Sequence, residues 1–202
     1  MTTKVLIAFY SRGGVTEALA KSVAEGAAAE GAEVRLRRAR EFVGAEVMSK
    51  AAGWLEGAER MNALYAAPTE ADAEWADAIV FGTPTRFGSM SAELKAYIDG
   101  LGGLWFQGKL VGKAGAAFAS TSTVHGGNEM TITALYAPMA HLGLVIVPTG
   151  YADPVLFKAG TPYGASAVSG TNSAPPSADD HAVAQFQGRR VARIAAALTT
   201  IR

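Results

Sequence analysis

The sequence of 202 residues contains no cysteine. This absence excludes disulfide bonds, thiolate metal sites and a thiol nucleophile, so any catalysis has to use another group. An excess of charge of one sign is also absent, because 18 Lys and Arg residues balance 18 Asp and Glu residues. A neutral chain lacks the electrostatic footprint of proteins that bind nucleic acid or anionic membranes. Small molecules or other proteins are therefore the expected partners.

Long apolar runs are absent as well. No run approaches the roughly 20 apolar residues that cross a bilayer, and VLIAFY over residues 5–10 is too short for the apolar region of a secretory signal. We therefore expect a soluble, cytoplasmic protein without membrane insertion. No carboxylate pair, histidine cluster or Ser-His-Asp set occurs at a spacing that suits hydrolysis or metal chemistry. The sequence thus predicts no metal site and no catalytic side chain of these kinds.

What the sequence does contain is an alternation of short apolar runs with alanine-rich helical patterns. The apolar runs begin at Lys4, Val34, Asp77, Lys113 and Leu144. The helical patterns cover residues 16–30, 91–101, 128–141 and 178–200. This alternation is typical of a parallel sheet with helices on both faces, and the five runs predict five strands.

The composition of the runs predicts their order in the sheet. The second run carries arginine at positions 35, 37 and 38, which suits an edge strand, whereas AIVF and VIV are apolar on both faces and suit the middle. We therefore predict an α/β fold with a doubly wound sheet in the order 2-1-3-4-5, in a single domain over residues 1–202. The ligand crevice of such a sheet opens at the carboxyl ends of strands 1 and 3.

Two segments are longer than ordinary connections between strands and helices. Residues 40–76 show weak helical periodicity, and residues 148–177 are rich in Gly, Pro and Ser. Long loops in compact domains are usually functional or disordered, and we interpret both segments as insertions on one sheet. Trp54 and Trp75 fall in the first insertion and at its exit, where packing under a loop or a subunit contact is the expected role.

A polar turn follows the first predicted strand. In SRGGVT, Gly13 and Gly14 allow a ligand to approach the backbone closely, and Ser11 and Thr16 offer hydroxyl donors. Because the helix that follows presents unpaired N–H groups and a positive dipole end, the turn is a candidate anion site. The P-loop lysine is missing, which favours a single terminal phosphate over a nucleoside triphosphate. Simple capping of the helix by Ser11 and Thr16 is the alternative, and the turn alone leaves both interpretations open.

Two more turns of this character follow the predicted strands 3 and 4. Residues 84–88 offer Thr85 and Arg86 as donors and Phe87 as a flat apolar face, and residues 120–126 are rich in hydroxyl groups and glycine. All three turns are expected at the same crevice. A ligand with a phosphate at one end and a planar, hydrogen-bonding ring system at the other suits them, and flavin mononucleotide (FMN) has this form.

Four longer motifs follow one another along the chain: FGTPTRFGSMSAELKAYIDGLGGLW, STSTVHGGNEMT, AHLGLVIVPTGY and AGTPYGA. In these motifs, and nearly end to end, the sequence resembles the WrbA family, whose members are flavodoxin-like NAD(P)H:quinone oxidoreductases that bind FMN. This resemblance implies a flavodoxin-like fold, FMN as cofactor, NADH or NADPH as electron donor and a quinone as substrate. It also implies a homotetramer, for which the insertion over residues 40–76 is a candidate contact.

The resemblance further implies which residues form the site. The FMN phosphate would be bound by Ser11, Arg12, Gly13, Gly14, Val15 and Thr16. The ribityl chain and ring would be bound by Pro84, Thr85, Arg86, Phe87 and Gly88. The polar edge of the ring would be lined by Ser120, Thr121, Ser122, Thr123, Val124, His125 and Gly126, with His141 as a further flavin contact. Trp105 would form the aromatic wall of the substrate pocket, and Tyr151 would border it.

Two positions depart from the family pattern. Arg12 stands where an apolar residue is frequent, and Gly13 stands where a bulky residue, commonly tyrosine, is usual and contacts the nicotinamide.

From these observations we predict an enzyme, an FMN-dependent NAD(P)H dehydrogenase (quinone). NAD(P)H would deliver hydride to the flavin, and a quinone would then take two electrons and leave as hydroquinone in a ping-pong sequence. The alternatives are a flavodoxin-type electron carrier and an FMN-binding regulatory or scaffold protein. True flavodoxins are typically strongly acidic, whereas this chain is neutral. A flavin-free receiver domain of the same topology would need acidic residues after strand 1, which FYSRGG lacks.

Overall fold

A parallel sheet forms the centre of the computed structural model, which describes residues 2–201. Within these residues the strands are β1 (Lys4–Phe9), β2 (Glu33–Arg38), β3 (Ala78–Pro84), β4 (Ala114–Thr121), β5 (Val145–Ile146) and β6 (Ser166–Val168). Their order is β2-β1-β3-β4-β5, and every pair is parallel. The predicted flavodoxin-like sheet is therefore confirmed.

The strand position next to β4 is shared by two short segments. β5 pairs with the start of β4 at Ala114 and Gly115, and β6 pairs with the end of β4 at residues 119–121. The apolar run that begins at Leu144 leaves the ladder early: the N–H groups of Val145 and Val147 donate to the carbonyls of Lys113 and Gly115, and β5 ends at Ile146. The sequence pattern did not predict β6, which follows a short 3-10 helix over Pro154–Phe157.

Helices cover both faces of this sheet. They are α1 (Val15–Ala29), α2 (Ala45–Met48), α3 (Trp54–Leu64), α4 (Glu70–Trp75), α5 (Ala92–Gly100), α6 (Gly102–Phe106), α7 (Asn128–His141) and α8 (Ala178–Leu198). Side chains of α1 and α8 form one core with one face of the sheet, and side chains of α5 and α7 form a second core with the other face. None of the helices described within residues 2–201 is long and apolar enough to cross a membrane.

Alternation along β1 explains why its sequence is apolar throughout. Val5, Ile7 and Phe9 belong to the core beneath α1 and α8, whereas Leu6 and Ala8 belong to the core beneath α5 and α7. A strand buried on both faces has no solvent side on which a polar residue would be favourable. The continuous apolar run is therefore what the central position of β1 requires.

The two helices of the first core touch backbone to backbone. A Cβ atom at Gly188 of α8 would lie 2.0 Å from the carbonyl oxygen of Val23, and one at Gly26 of α1 would lie 2.0 Å from the carbonyl oxygen of Gln185. Real Cβ atoms do not come this close, so the contact requires glycine at both positions. This close packing fixes how α1, and with it the turn that precedes it, sits on the sheet.

The sheet brings the carboxyl ends of three strands together at one edge. The Tyr10 N–H donates to the Gly82 carbonyl at 2.9 Å, which joins the chain after β1 to β3. The Thr85 N–H donates to the Ser120 carbonyl at 2.8 Å, which joins the chain after β3 to β4. The segments that follow β1, β3 and β4 therefore start side by side.

Candidate functional site

A cavity of about 380 Å³ opens at the edge where β1, β3 and β4 end. All three predicted turns contribute to its lining. The contributing residues are Ser11, Arg12, Gly13, Val15 and Thr16 from the first turn, Pro84, Thr85 and Arg86 from the second, and Ser120, Thr121 and Ser122 from the third. The sequence predicted that these turns meet only because of the expected strand order. The structure shows that they line one cavity.

The first turn is held by hydroxyl groups. The Gly14 N–H donates to Ser11 Oγ at 3.1 Å, so Ser11 stabilises the entry to α1. Thr16 does not cap the helix; instead its Oγ1 lies 2.8 Å from Ser120 Oγ, and both side chains are buried. The first and third turns are therefore linked by a hydroxyl pair at the floor of the cavity.

Glycine suits the two positions of this turn for two different reasons. Gly14 has a φ of +88°, a left-handed conformation in which a residue with a Cβ atom is strained. Gly13 lies against Ser173, whose Oγ would be 3.3 Å from a Cβ atom at position 13. A larger residue at position 13, such as tyrosine, would have to displace Ser173.

The second turn presents an exposed aromatic ring. Thr85 Oγ1 lies 2.8 Å from Thr131 Oγ1 of α7 and accepts a hydrogen bond from the Gly88 N–H at 3.2 Å. The next residue but one, Phe87, has a φ of +54° and a fully exposed side chain. Non-glycine residues in this region are uncommon and cluster at functional sites. Phe87 and Gly88 lie outside the lining of the cavity, so any contact they make with a ligand is at its rim.

Only the first part of the third turn, up to Ser122, lines this cavity. Thr121 Oγ1 donates to the Thr123 carbonyl at 2.9 Å, which folds the chain back on itself. Val124 and His125 are exposed and line a neighbouring cavity of about 560 Å³ near the starts of α7 and α8. Thr123 and Gly126 line neither cavity, and Gly126 packs close to Thr121.

Both long segments reach the first cavity. Ala52, Gly53 and Trp54 come from the 40–76 segment, and Ser169 and Ser173 come from the 148–177 segment. The sequence analysis named only Trp54 among them, and it expected Trp54 to pack under a loop or in a subunit contact; for the others the signal in the sequence was the unusual length of the two segments. The indole of Trp54 lies under the guanidinium of Arg12, with 3.7 Å between the guanidinium carbon and the ring centroid. Trp75 instead stacks with Arg35 of β2.

A buried arginine holds the first turn from behind. Arg38, at the end of β2, is fully buried and donates to the Ser11 carbonyl at 2.9 Å and to Asn62 Oδ1 at 2.7 Å. Its charge is balanced by Glu41. The sequence showed Arg38 only as part of a polar edge strand, because its partners Ser11 and Asn62 lie in the first turn and in α3, both distant from it along the chain.

A carboxylate lies in the first turn of α1 and is also balanced. Burial of Glu17 raises its pKa, but hydrogen bonds from Arg60, Tyr65 and Lys21 outweigh burial and lower the pKa to about 2. The Tyr65 hydroxyl donates at 2.9 Å and Arg60 Nη1 at 3.0 Å. Glu17 therefore stays ionised at neutral pH, and its cationic partners offset the repulsion it would exert on an anion near the same helix end.

Three of the predicted residues lie away from this cavity. His141 ends α7, a helix of 14 residues that begins beside the third turn, so it lies about 20 Å from that end. Trp105 lies in α6. Shortly after this helix, the Gly112 N–H donates to the carbonyl of Gly143, which lies just after His141. Tyr151 follows β5, and its ring stacks on Phe157 with 5.2 Å between centroids. All three side chains are exposed.

The donor set of the cavity fits a phosphorylated flavin. A helix of 15 residues begins at the cavity, and buried hydroxyl groups and two guanidinium groups line it. Such donors bind a phosphate and the carbonyl and nitrogen atoms of a ring. No group of His, Asp or Glu able to hold a metal ion occurs within residues 2–201.

Comparisons with known proteins agree with this geometry. A family model described as NADPH-dependent FMN reductase matches residues 1–154. A flavodoxin, WrbA-like protein from Agrobacterium tumefaciens has a similar structure, with 24% identity, a TM-score of 0.67 and coverage of 97% of this chain and 99% of that chain. A flavodoxin from the domain Archaea has 17% identity and a TM-score of 0.62, with coverage of 96% and 99%. At these identities the structural likeness establishes the shared fold.

Proposed function

The chain belongs to the NADPH-dependent FMN reductase family, and from this premise we propose that it is an FMN-dependent NAD(P)H:quinone oxidoreductase of the WrbA type. Membership confirms the predicted FMN cofactor, the nicotinamide nucleotide donor and an oxidoreductase activity. The observation that supports the proposal most is the convergence of the three polar turns on one open cavity. The quinone substrate rests on the sequence resemblance.

The chain's own residues would hold FMN at two ends. Amide groups at the start of α1, with Ser11 and Thr16, would bind the phosphate, and Thr85, Arg86 and Ser120 would bind the ribityl chain and the ring. When bound, FMN supplies hydride chemistry between the nicotinamide and the quinone. The balanced reaction consumes NAD(P)H, a proton and the quinone, and yields NAD(P)⁺ and the hydroquinone. The protein's contribution is to position the reactants and to stabilise charge.

We expect ping-pong kinetics, because one open face above the ring would admit the nicotinamide and the quinone in turn. Initial rates measured at several fixed concentrations of benzoquinone, with NADH or NADPH varied, should give parallel double-reciprocal lines. Intersecting lines would show that both substrates bind together. A pure electron carrier would give negligible turnover in this assay and a stable semiquinone on titration with dithionite.

We further propose that the functional unit is a homotetramer in which Trp105 forms the wall of the substrate pocket, and His141 contacts the flavin, of a neighbouring chain. Within one chain both lie far from the cavity that their predicted roles require. Trp105 is 54% exposed, and the neighbouring Phe106 and Val111 are exposed to 85% and 61%. An exposed apolar group of this kind is typical of a protein interface. Packing it against the cavity rim of another chain, near Phe87, would complete both partners.

Mixed oligomers test this arrangement. Trp105→Ala chains keep the cavity, whereas Thr16→Val/Ser120→Ala chains keep Trp105 but lose the hydroxyl pair. If Trp105 acts between chains, co-refolded mixtures should have more quinone reductase activity than the average of the two separate variants, because some sites combine an intact cavity with an intact Trp105. Activity equal to the average, or a monomeric mass in light scattering, would contradict the proposal. A mixture of wild type with Trp105→Ala serves as the control for refolding yield.

A further inference from the structure

Arg12 is a cation held at the phosphate end of the cavity without an anionic partner. Its side chain forms no ion pair and no hydrogen bond with any residue between 2 and 201; its one described side-chain contact is the stacking on Trp54. The other cations near the first turn are engaged, since Arg38 pairs with Glu41 and Arg60 pairs with Glu17. A guanidinium group with free donors that lines a cavity is suited to bind an anion there.

The stacking determines how Arg12 can act. A guanidinium whose carbon lies 3.7 Å above an indole has one side covered by the ring, but its N–H groups lie in its own plane and remain able to donate at the edge. A free arginine side chain loses much rotamer entropy when it is fixed by a ligand. Trp54 holds the group before the ligand arrives, so less of that entropy is lost on binding.

Packing of α3 explains why Trp54 is at this place. The Arg12 carbonyl oxygen would lie 3.6 Å from a Cβ atom at Gly57, so the first turn of α3 rests directly on the turn after β1. Trp54 is the first residue of α3 and follows Gly53, whose φ is +73°. The 40–76 segment therefore places the indole of Trp54 at the phosphate end of the cavity.

We propose that the Arg12–Trp54 pair makes this site selective for the phosphorylated flavin over riboflavin. Without Arg12, the first turn would offer only neutral hydroxyl and amide donors beside a carboxylate, Glu17, whose charge its own partners offset. With Arg12, a full positive charge faces the phosphate dianion. Riboflavin has no group for this charge, so the pair contributes to FMN binding alone. The inference rests on the proposed flavin site and assigns a role to Trp54.

Titration of the full-length protein, stripped of flavin, with FMN and with riboflavin tests this role, with quenching of flavin fluorescence as the readout. We expect Arg12→Leu to lower FMN affinity about tenfold or more, as for loss of a charge-assisted hydrogen bond, and to leave riboflavin affinity within about twofold. Arg12→Lys, which keeps the charge but loses the planar fork, should fall between Arg12→Leu and wild type. The salt dependence of FMN binding should also weaken in Arg12→Leu.

Trp54 acts through Arg12, so its variants need a matched pair. Trp54→Leu should lower FMN affinity severalfold, Trp54→Phe should restore most of it, and neither should alter riboflavin affinity. In the Arg12→Leu background, Trp54→Leu should have no further effect on the ratio of FMN to riboflavin affinity. Equal losses for the two flavins, or an unchanged ratio in Arg12→Leu, would overturn the inference. A wild-type protein that binds neither flavin would overturn the proposed function itself.

Discussion

Thr16→Val is expected to bind FMN about ten- to a hundredfold more weakly than the wild type, because it loses one hydrogen bond to the charged phosphate. Valine has nearly the shape of threonine, so the variant removes the hydroxyl while the buried volume stays the same. Thr16 Oγ1 pairs with Ser120 Oγ at the floor of the cavity, and either group can turn toward a ligand. Equilibrium titration with FMN, monitored by flavin fluorescence, measures the effect.

Two further variants separate ligand binding from structure. Ser120→Ala removes the same hydroxyl pair from the other side, so both variants should lose about 1 kcal/mol of stability without flavin. Thr133→Val removes an exposed hydroxyl that bonds only within α7, and FMN affinity should be unchanged. If Thr16→Val weakens FMN binding no more than Thr133→Val does, the first turn is not the phosphate site.

Gly188→Ala is expected to destabilise the protein by about 3 kcal/mol, the upper range for overpacking, since the added atom meets backbone rather than a movable side chain. The new Cβ atom would lie 2.0 Å from the Val23 carbonyl oxygen and 2.8 Å from the Ala27 nitrogen. Helices α1 and α8 would have to separate and expose part of the core between them. For a chain of this size the melting temperature should fall by about 6–12 °C, measured by circular dichroism.

Gly100→Ala is the matched control. Gly100 ends α5, and no atom lies within 4 Å of a Cβ atom built there. Because alanine favours a helix more than glycine does, this variant should be neutral or slightly more stable. Gly26→Ala, which meets the Gln185 carbonyl oxygen at 2.0 Å, should behave like Gly188→Ala. A melting temperature for Gly188→Ala equal to that of Gly100→Ala would show that the helices do not pack this closely.

The two departures from the family pattern have physical consequences in the structure. Gly13 leaves room for Ser173, so the 148–177 segment closes over the first turn where a bulky residue would keep it away. The Arg12 side chain instead packs on Trp54 of the 40–76 segment. Both long segments thus meet the same turn, one at Gly13 and the other at Arg12.

The sequence alone determined the order of the sheet and the place of the crevice. Apolar runs buried on both faces, a polar edge strand and helical patterns between them admit few arrangements, because parallel strands need crossovers and the edge tolerates charge. Turn chemistry after strands 1, 3 and 4 is likewise local, since glycine and hydroxyl residues have specific backbone roles wherever they occur. Once the strand order was known, the convergence of those turns followed.

Only the tertiary structure decided which distant segments meet. Gly26 and Gly188 are ordinary glycines in helical patterns until α1 and α8 touch, and Trp54 is one tryptophan in a long insertion until α3 rests on Arg12. The same holds for Trp105 and His141: the family resemblance implies a substrate-pocket wall and a flavin contact, and the structure puts both residues at a distance from the cavity. Hydrophobic periodicity and turn residues predict the burial and the backbone conformation of each residue by itself. Contacts between elements depend on how helices and loops pack across the sheet, which no local pattern contains.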